Sequence, residues 1–242
     1  LKYAIDKVHC IYFDKCTCRA CEKLCPSQAV DFSQTDQERE VEVGAVILAP
    51  GFRPFDPLEK PEYGYERYPN VLTSLEFERL LSATGPCGGK VKRPSDNAEP
   101  QRIAWIQCVG SRDAGIGREY CSSICCMQAT KQAMISREHD PGVSATIFFL
   151  DLRAQGKGFD RYYERAREVQ GVRYIRSMVS RVTQDPRTAN LEIAYADEEN
   201  RLQSEEFDLV ILSVGLVSHP ATRELAAMCG IATNRWGFAE SP

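Results

Sequence analysis

Four cysteines between residues 108 and 126 constrain this chain more than any other feature. They run Cys108-x12-Cys121-x3-Cys125-Cys126, inside the strings QCVGSRD and YCSSICCMQATKQA. The segment before them, 102–107, is short and mostly apolar, with Ile103, Trp105 and Ile106, as a buried strand is. The segment after them holds Met127, Gln128, Ala129, Lys131, Gln132, Ala133 and Met134, good helix formers, with no Pro or Gly until Pro141. Strand, Gly-containing turn and helix thus follow in the order in which a dinucleotide-binding fold sets GxGxxG under a pyrophosphate. Here the turn reads CVGSRD. Thiols stand in place of the glycine fingerprint, which argues against direct binding of a nicotinamide dinucleotide.

The spacing can be tested against ligand geometry. A helix starting near Ser122 puts Cys121 at its N-cap and Cys125 four residues on, on the same face. Cys126 is turned by one helical step. A single zinc ion has difficulty drawing two adjacent helical cysteines into a tetrahedron, whereas a cubane cluster spreads its irons over a wider volume. The partial positive charge of a helix N-terminus also suits an anionic thiolate cluster. The pattern points to an iron–sulfur cluster. Structural zinc and plain buried or disulfide-bonded cysteines are the rival readings.

A second group opens the chain: Cys10, Cys16, Cys18, Cys21 and Cys25, then Pro26. Its tail, Cys18-x2-Cys21-x3-Cys25-Pro26, is the end of a bacterial ferredoxin motif, and 28–32 is expected to return as a short strand. The position three before Cys18 is Lys15, so the fourth ligand is either Cys10 or Cys16. Cys10 is preferred, because one residue between Cys16 and Cys18 leaves both struggling to reach different corners. Zinc is again the rival, since C-x2-C knuckles are common.

The chain has 242 residues, net charge −4 and 43% hydrophobic content, enough for a globular body of one or two domains. Its 11 cysteines fall in ligand-like groups and not in the even framework of a small secreted domain, which points to a reducing cytoplasm. No apolar run is long enough to cross a bilayer, no signal peptide is visible, and no basic stripe invites nucleic acid. The ends, Leu1 and Pro242, read as those of a piece of something longer. Four parts are expected: 1–35, a cysteine-rich module; 36–100, a connecting segment; 101–217, an alternating strand–helix region; and 218–242, the start of a return. Within them we expect strands at 43–52, 102–107, 144–150, 172–179 and 207–215, helices at 74–82, 122–138 and 159–169, and a hairpin over 179–203. Strands spaced by helices indicate an α/β parallel sheet with a small antiparallel addition.

Segments 43–52 (VGAVILAPGF) and 207–216 (FDLVILSVGL) resemble each other: each is an apolar strand ending at a Gly, Gly51 or Gly215. They read either as two ordinary buried strands or as the ligand-side strand ends of two nucleotide-type subdomains, the second inserted within the first. Lys157, in the Gly-flanked loop RAQGKGF, suits a flavin edge or an anionic ligand, or is a solvated loop lysine. Arg112 and Asp113 form a local ion pair or tune the cluster, and Lys131 is placed to offset cluster charge. Cys87 and Cys229 are isolated, and His9, His139 and His219 form no catalytic constellation.

The strings YPNVLTSLEFERLLSATGP, RIAWIQCVGSRD, YCSSICCMQATKQA and DLRAQGKGFDRYYERARE resemble the A subunit of heterodisulfide reductase over nearly the whole chain. The resemblance implies a thioredoxin-reductase-like two-subdomain flavoprotein core, a parallel sheet with helices, with an inserted ferredoxin-like module. It implies FAD and two [4Fe–4S] clusters, the first on Cys10, Cys18, Cys21 and Cys25 and the second on Cys108, Cys121, Cys125 and Cys126. Ala49, Pro50 and Gly51 occupy the place of the family's flavin-contacting strand end, with Pro where Thr is commoner. The implied activity is that of an oxidoreductase subunit that exchanges electron pairs through flavin and single electrons through clusters, extending in the family to electron bifurcation. The implied partners are other subunits of an electron-transfer complex, of heterodisulfide reductase B/C, hydrogenase or dehydrogenase type. An N-terminal GxGxxG and a C-terminal flavin strand are missing from this sequence, which puts FAD retention by this piece alone in doubt. A pyridine-nucleotide-linked flavin reductase and a zinc-stapled scaffold are the alternatives.

Overall fold

A computed structural model describes residues 4–240. Two compact units divide at Leu48/Ala49. In the first, two single-turn helices, α1 (Ile11–Lys15) and α2 (Ala20–Leu24), carry or adjoin the early cysteines. The expected strand at 28–32 does not form. Gln28 takes a left-handed φ of 51°, and Phe32 packs instead on Tyr12 and Phe13, with ring centroids 4.2 and 5.7 Å apart. Arg19 lies over both Tyr12 and Phe32, at 5.4 and 5.6 Å, so an aromatic cluster with a cationic lid replaces a sheet.

The expected buried strand at 43–52 is also corrected. Residues 43–50 form no strand, and Val43, Val46 and Ile47 are 57%, 67% and 91% exposed. β-propensity alone does not make a strand, because the backbone N–H and C=O groups need a ladder partner, and none is present among the described residues. Only the tail of the run is extended: β1 (Phe52–Pro54).

The second unit is built on a parallel sheet. Its edge, β2 (Val71–Thr73), leads directly into α3 (Ser74–Leu81). Thr73 caps that helix: its hydroxyl accepts from the Glu76 N–H, and the Glu76 carboxylate accepts from the Thr73 N–H. There follow β3 (Arg102–Val109), α4 (Cys125–His139), β4 (Ser144–Phe149) and α5 (Phe159–Glu164), the last continued by a wider π-turn over Arg165–Val169. β5 (Arg173–Arg176) completes one edge. An antiparallel meander, β6 (Val179–Gln184), β7 (Leu191–Ala196) and β8 (Leu202–Phe207), extends the expected hairpin by one strand. β9 (Leu209–Val214) then enters the sheet, and β10 (Leu216–Ser218) and α6 (Thr222–Met228) close the order. The sheet order is β2-β9-β3-β4-β5, all neighbours parallel.

Residue parity sets three layers. Ile103 and Trp105 of β3, with Leu209 and Ile211 of β9, face α3 and α4 and pack on Phe77, Ala129, Ala133 and Met134. Ala104, Ile106, Val210 and Leu212 face the meander and meet Leu191, Ile193 and Phe207. Both faces of the central strands are therefore covered, and β9 is buried at every position. β1 and β10 pair antiparallel outside this sheet, with Phe52 opposite Ser218 and Pro54 opposite Leu216. The chain thus enters and leaves the α/β body through two adjacent strands, each beginning just after one of the glycines of the two similar segments.

Candidate metal centre

The four later cysteines gather at the carboxyl edge of the parallel sheet, where ligands of open α/β sheets sit. Cys108 lies in a bulge, where the β3–β9 register shifts between Ile106 and Val109. Its φ of 62° is left-handed, and such a bulge re-aims a side chain that a regular strand would bury between layers. α4 starts at Cys125, later than the expected Ser122, because Ser123 takes a left-handed φ of 61° and interrupts the helical path. Cys121 therefore precedes the helix in a loop, while Cys125 and Cys126 are its first two residues.

Serines hold the loop between Cys108 and Cys125 in shape. The Ser111 hydroxyl donates to the Tyr120 carbonyl at 3.2 Å and accepts the Ser122 N–H at 3.2 Å. The Ser122 hydroxyl accepts from the Leu216 N–H at 2.8 Å, which ties the loop to β10. Gly215 makes this possible: a Cβ there would lie 2.9 Å from both Ser111 Cβ and Ser122 Oγ. The close approach that this glycine permits is to the cysteine loop. Lys60 pairs with Asp113 at 3.0 Å, and the rings of Trp236 and Phe238 meet Tyr120 at 5.1 and 5.2 Å.

The resulting cleft is narrow and is lined by Cys108, Cys121, Cys125 and Cys126 together with Ser111, Arg112, Asp151 and Arg153. Burial pushes the Cys108 thiol up to about 11, and the charges of Cys126 and Cys121 push the same way. Burial likewise raises Cys125 to about 12, assisted by Cys108, Cys126 and Cys121, and it raises Cys126. These three sulfurs cannot all be thiolates unless positive charge stands between them, and an iron–sulfur core supplies it. One donor already points at a sulfur: the Ser123 N–H reaches Cys121 Sγ at 3.3 Å, and Arg112 and Arg153 line the same cleft. At the same strand ends, the buried Gln107 amide and Ser213 hydroxyl have no hydrogen-bond partner. Among the described residues no three Cys, His, Asp or Glu side chains are close enough to hold one bare ion. A cluster, in which each thiolate takes its own iron, requires wider spacing than the roughly 3.8 Å between sulfurs around one zinc. The donor set fits a cluster.

In the first unit Cys10 precedes α1 as its N-cap and Cys16 follows it in a left-handed C-cap, while Cys25 ends α2. Cys25 Sγ accepts the Ala29 N–H and contacts Ser27 Oγ, both at 3.4 Å, and the Ser27 contact holds its thiol below the usual range. Cys10 and Cys25 are half-buried, whereas Cys16, Cys18 and Cys21 are exposed.

Of the expected flavin contacts, Ala49, Pro50 and Gly51 are exposed, Lys157 lies in an exposed loop, and Gly215 is buried. The antiparallel pairing of β1 with β10 sets Gly51 and Gly215 at opposite ends of one ladder, roughly 13 Å apart. Lys131 does not point its charge at the cysteines; it pairs with Glu78 at 2.5 Å. Arg112 pairs with Asp151 and not with Asp113. Asp151 and Arg153 escaped notice in the sequence. The signal that marks them is their place just beyond β4, beside the strand end that carries Cys108.

No protein-family model matches the chain. It is 44% identical over 239 residues to the iron-sulfur A subunit of the CoB–CoM heterodisulfide reductase of Methanocaldococcus jannaschii, covering 98% of this chain and 36% of that protein. It is 45% identical over 213 residues to the second iron-sulfur A subunit of the same reductase from Methanopyrus kandleri, covering 88% of this chain and 32% of the relative. The chain therefore spans about a third of the length of the relatives it matches. Among solved structures, a 2-naphthoyl-CoA reductase complex aligns over 74% of this chain and 21% of its own, at 14% identity and a TM-score of 0.45, too low to assign a fold by likeness. Through nearly all of its own residues, this chain is a partial-length member of the A-subunit family of heterodisulfide reductase.

Proposed function

We propose that this chain is the electron-transfer segment of an FAD- and iron–sulfur-dependent oxidoreductase of the heterodisulfide reductase A-subunit type. Cys108, Cys121, Cys125 and Cys126 hold one [4Fe–4S] cluster, and Cys10, Cys18, Cys21 and Cys25 hold a second. The observation that carries the reading is the convergence of four sulfurs, from a strand bulge, a loop and a helix N-terminus, on one cleft, with the Ser123 N–H aimed at Cys121. Bound there, a cluster passes electrons singly, while FAD exchanges them in pairs.

In this reading the α/β body is the nucleotide-type subdomain of a thioredoxin-reductase-like core, entered through β1 and left through β10. Ala49, Pro50, Gly51, Lys157 and Gly215 belong to the flavin side. The apolar run 43–50, without a ladder partner among the described residues, joins a flavin-domain sheet in the longer protein. The partners are further subunits of a cytoplasmic electron-transfer complex, and splitting of an electron pair between two acceptors is the most demanding activity consistent with two clusters and one flavin. Among the described residues no helix is long and apolar enough to cross a membrane.

Iron and acid-labile sulfide analysis of the anaerobically purified protein tests the cluster assignment. We expect about eight irons and eight sulfides per chain, from two clusters of four. Zinc without sulfide would replace this reading with that of a stapled scaffold.

A further inference from the structure

Three charged side chains at the mouth of the four-cysteine cleft have so far no role. Asp151 follows the carboxyl end of β4, and its carboxylate accepts a hydrogen bond from Arg112 and pairs with Arg153 Nε at 3.4 Å. Arg112 comes from the turn after β3, so this carboxylate joins two arms of backbone across the cleft. Both arginines line the cleft together with the four sulfurs. Each guanidinium is therefore held by the carboxylate while it stands beside the thiols.

The charges do not cancel. Two guanidiniums, which stay protonated, face one carboxylate, leaving one positive charge beside the sulfurs. Their side chains are 23%, 38% and 46% exposed for Arg112, Arg153 and Asp151, so water screens part of the effect without reversing its sign. One-electron reduction adds one negative charge to a cluster. Nearby positive charge and N–H···S hydrogen bonds favour that reduced state.

We infer that Arg112 and Arg153, fixed in place by Asp151, are positioning residues that raise the reduction potential of the cluster held by Cys108, Cys121, Cys125 and Cys126. The inference rests on the cluster reading above and adds to it a device that sets the direction of electron flow through this centre. It makes a prediction of opposite signs.

The test is an EPR-monitored redox titration of the anaerobically purified full-length protein, following the signal that Cys125→Ser removes. Arg112→Gln and Arg153→Gln should each lower the midpoint potential, and the double variant should lower it further. Asp151→Asn, which keeps both arginines and removes the opposing charge, should raise it. Arg153→Lys, which keeps the charge, should stay closer to the parent than Arg153→Gln. Unchanged potentials in the glutamine variants, or a shift of Asp151→Asn in their direction, would overturn the inference while leaving the cluster in place. Should a glutamine variant lose its cluster, the sign of the Asp151→Asn shift decides alone. A parent protein without iron and sulfide overturns the cluster reading and this inference with it.

Discussion

The ring of Phe55 fills the space beside Gly110 so closely that a Cβ on that glycine would lie 2.0 Å from the ring's Cγ. Phe55 is 1% exposed, its N–H donates to the Gly215 carbonyl at 2.8 Å, and Arg118 stacks over it at 4.7 Å. Gly110 itself has a φ of 75°. Phe55 is therefore a wedge under the turn that presents Cys108, and both the space and the backbone angle demand glycine above it.

Gly110→Ala should then cost at least about 2–3 kcal/mol, from left-handed strain plus an overpacked contact. Thermal unfolding of the variant measures this, and iron content should fall with it as the Cys108 turn is displaced. A variant with parental melting temperature and iron would show that Phe55 can move aside freely.

Cys125→Ser and Cys126→Ser should each abolish one of the two reduced-state EPR signals, because both sulfurs line the cleft from the first turn of α4. Cys87→Ser and Cys229→Ser, whose side chains lie outside the cleft lining, should leave both signals. Survival of the cluster in either of the first two variants would mean that its fourth ligand comes from elsewhere.

Cys10→Ser should lose the N-terminal cluster or convert it to a three-iron form, whereas Cys16→Ser should keep it. Cys10 is half-buried at the head of α1, and Cys16 is exposed in a left-handed cap at its tail. Iron content and EPR of the two variants are the measurement, and the reverse outcome would make Cys16 the ligand.

Asp113 links the cysteine loop to Lys60, whose ammonium holds the carboxyl below its usual range through a hydrogen bond. The folded-state value is depressed, so its contribution to stability is present above the unfolded value of 3.8 and lost as pH falls through the folded one. Both side chains are partly exposed, which limits the pair to less than about 1 kcal/mol. Asp113→Asn should therefore be slightly less stable than the parent at pH 7, and the two should converge as pH falls below 3.8 and through the folded-state value. Urea melts across that range report the difference, and a gap that widened in acid would contradict the sign.

Much of the architecture was legible along the chain because it is encoded in short windows. The apolar runs at 102–107 and 207–215 and the helix formers after Cys126 each declare their element within a few residues. Cysteine spacing likewise singled out the four later cysteines that the fold brings to one cleft, since metal binding restricts residue type and interval together. What tertiary structure decided depends on partners far away in sequence. Residues 43–50 have the composition of a buried strand, yet without a ladder partner among the described residues they stay exposed. Val71–Thr73 are too few to be recognised alone and become a strand because β9 pairs with them. The late start of α4 follows from the left-handed turn at Ser123, where Ser122 is held by Ser111 and Leu216. Asp151 and Arg153 line the cleft beside Cys126 and Cys121 only because β4 lies parallel beside β3, so that both strands end at the same edge. Periodicity and ligand spacing are local properties that a sequence carries by itself. Which charges end up beside a thiolate is settled by strand order, and strand order exists only in the folded chain.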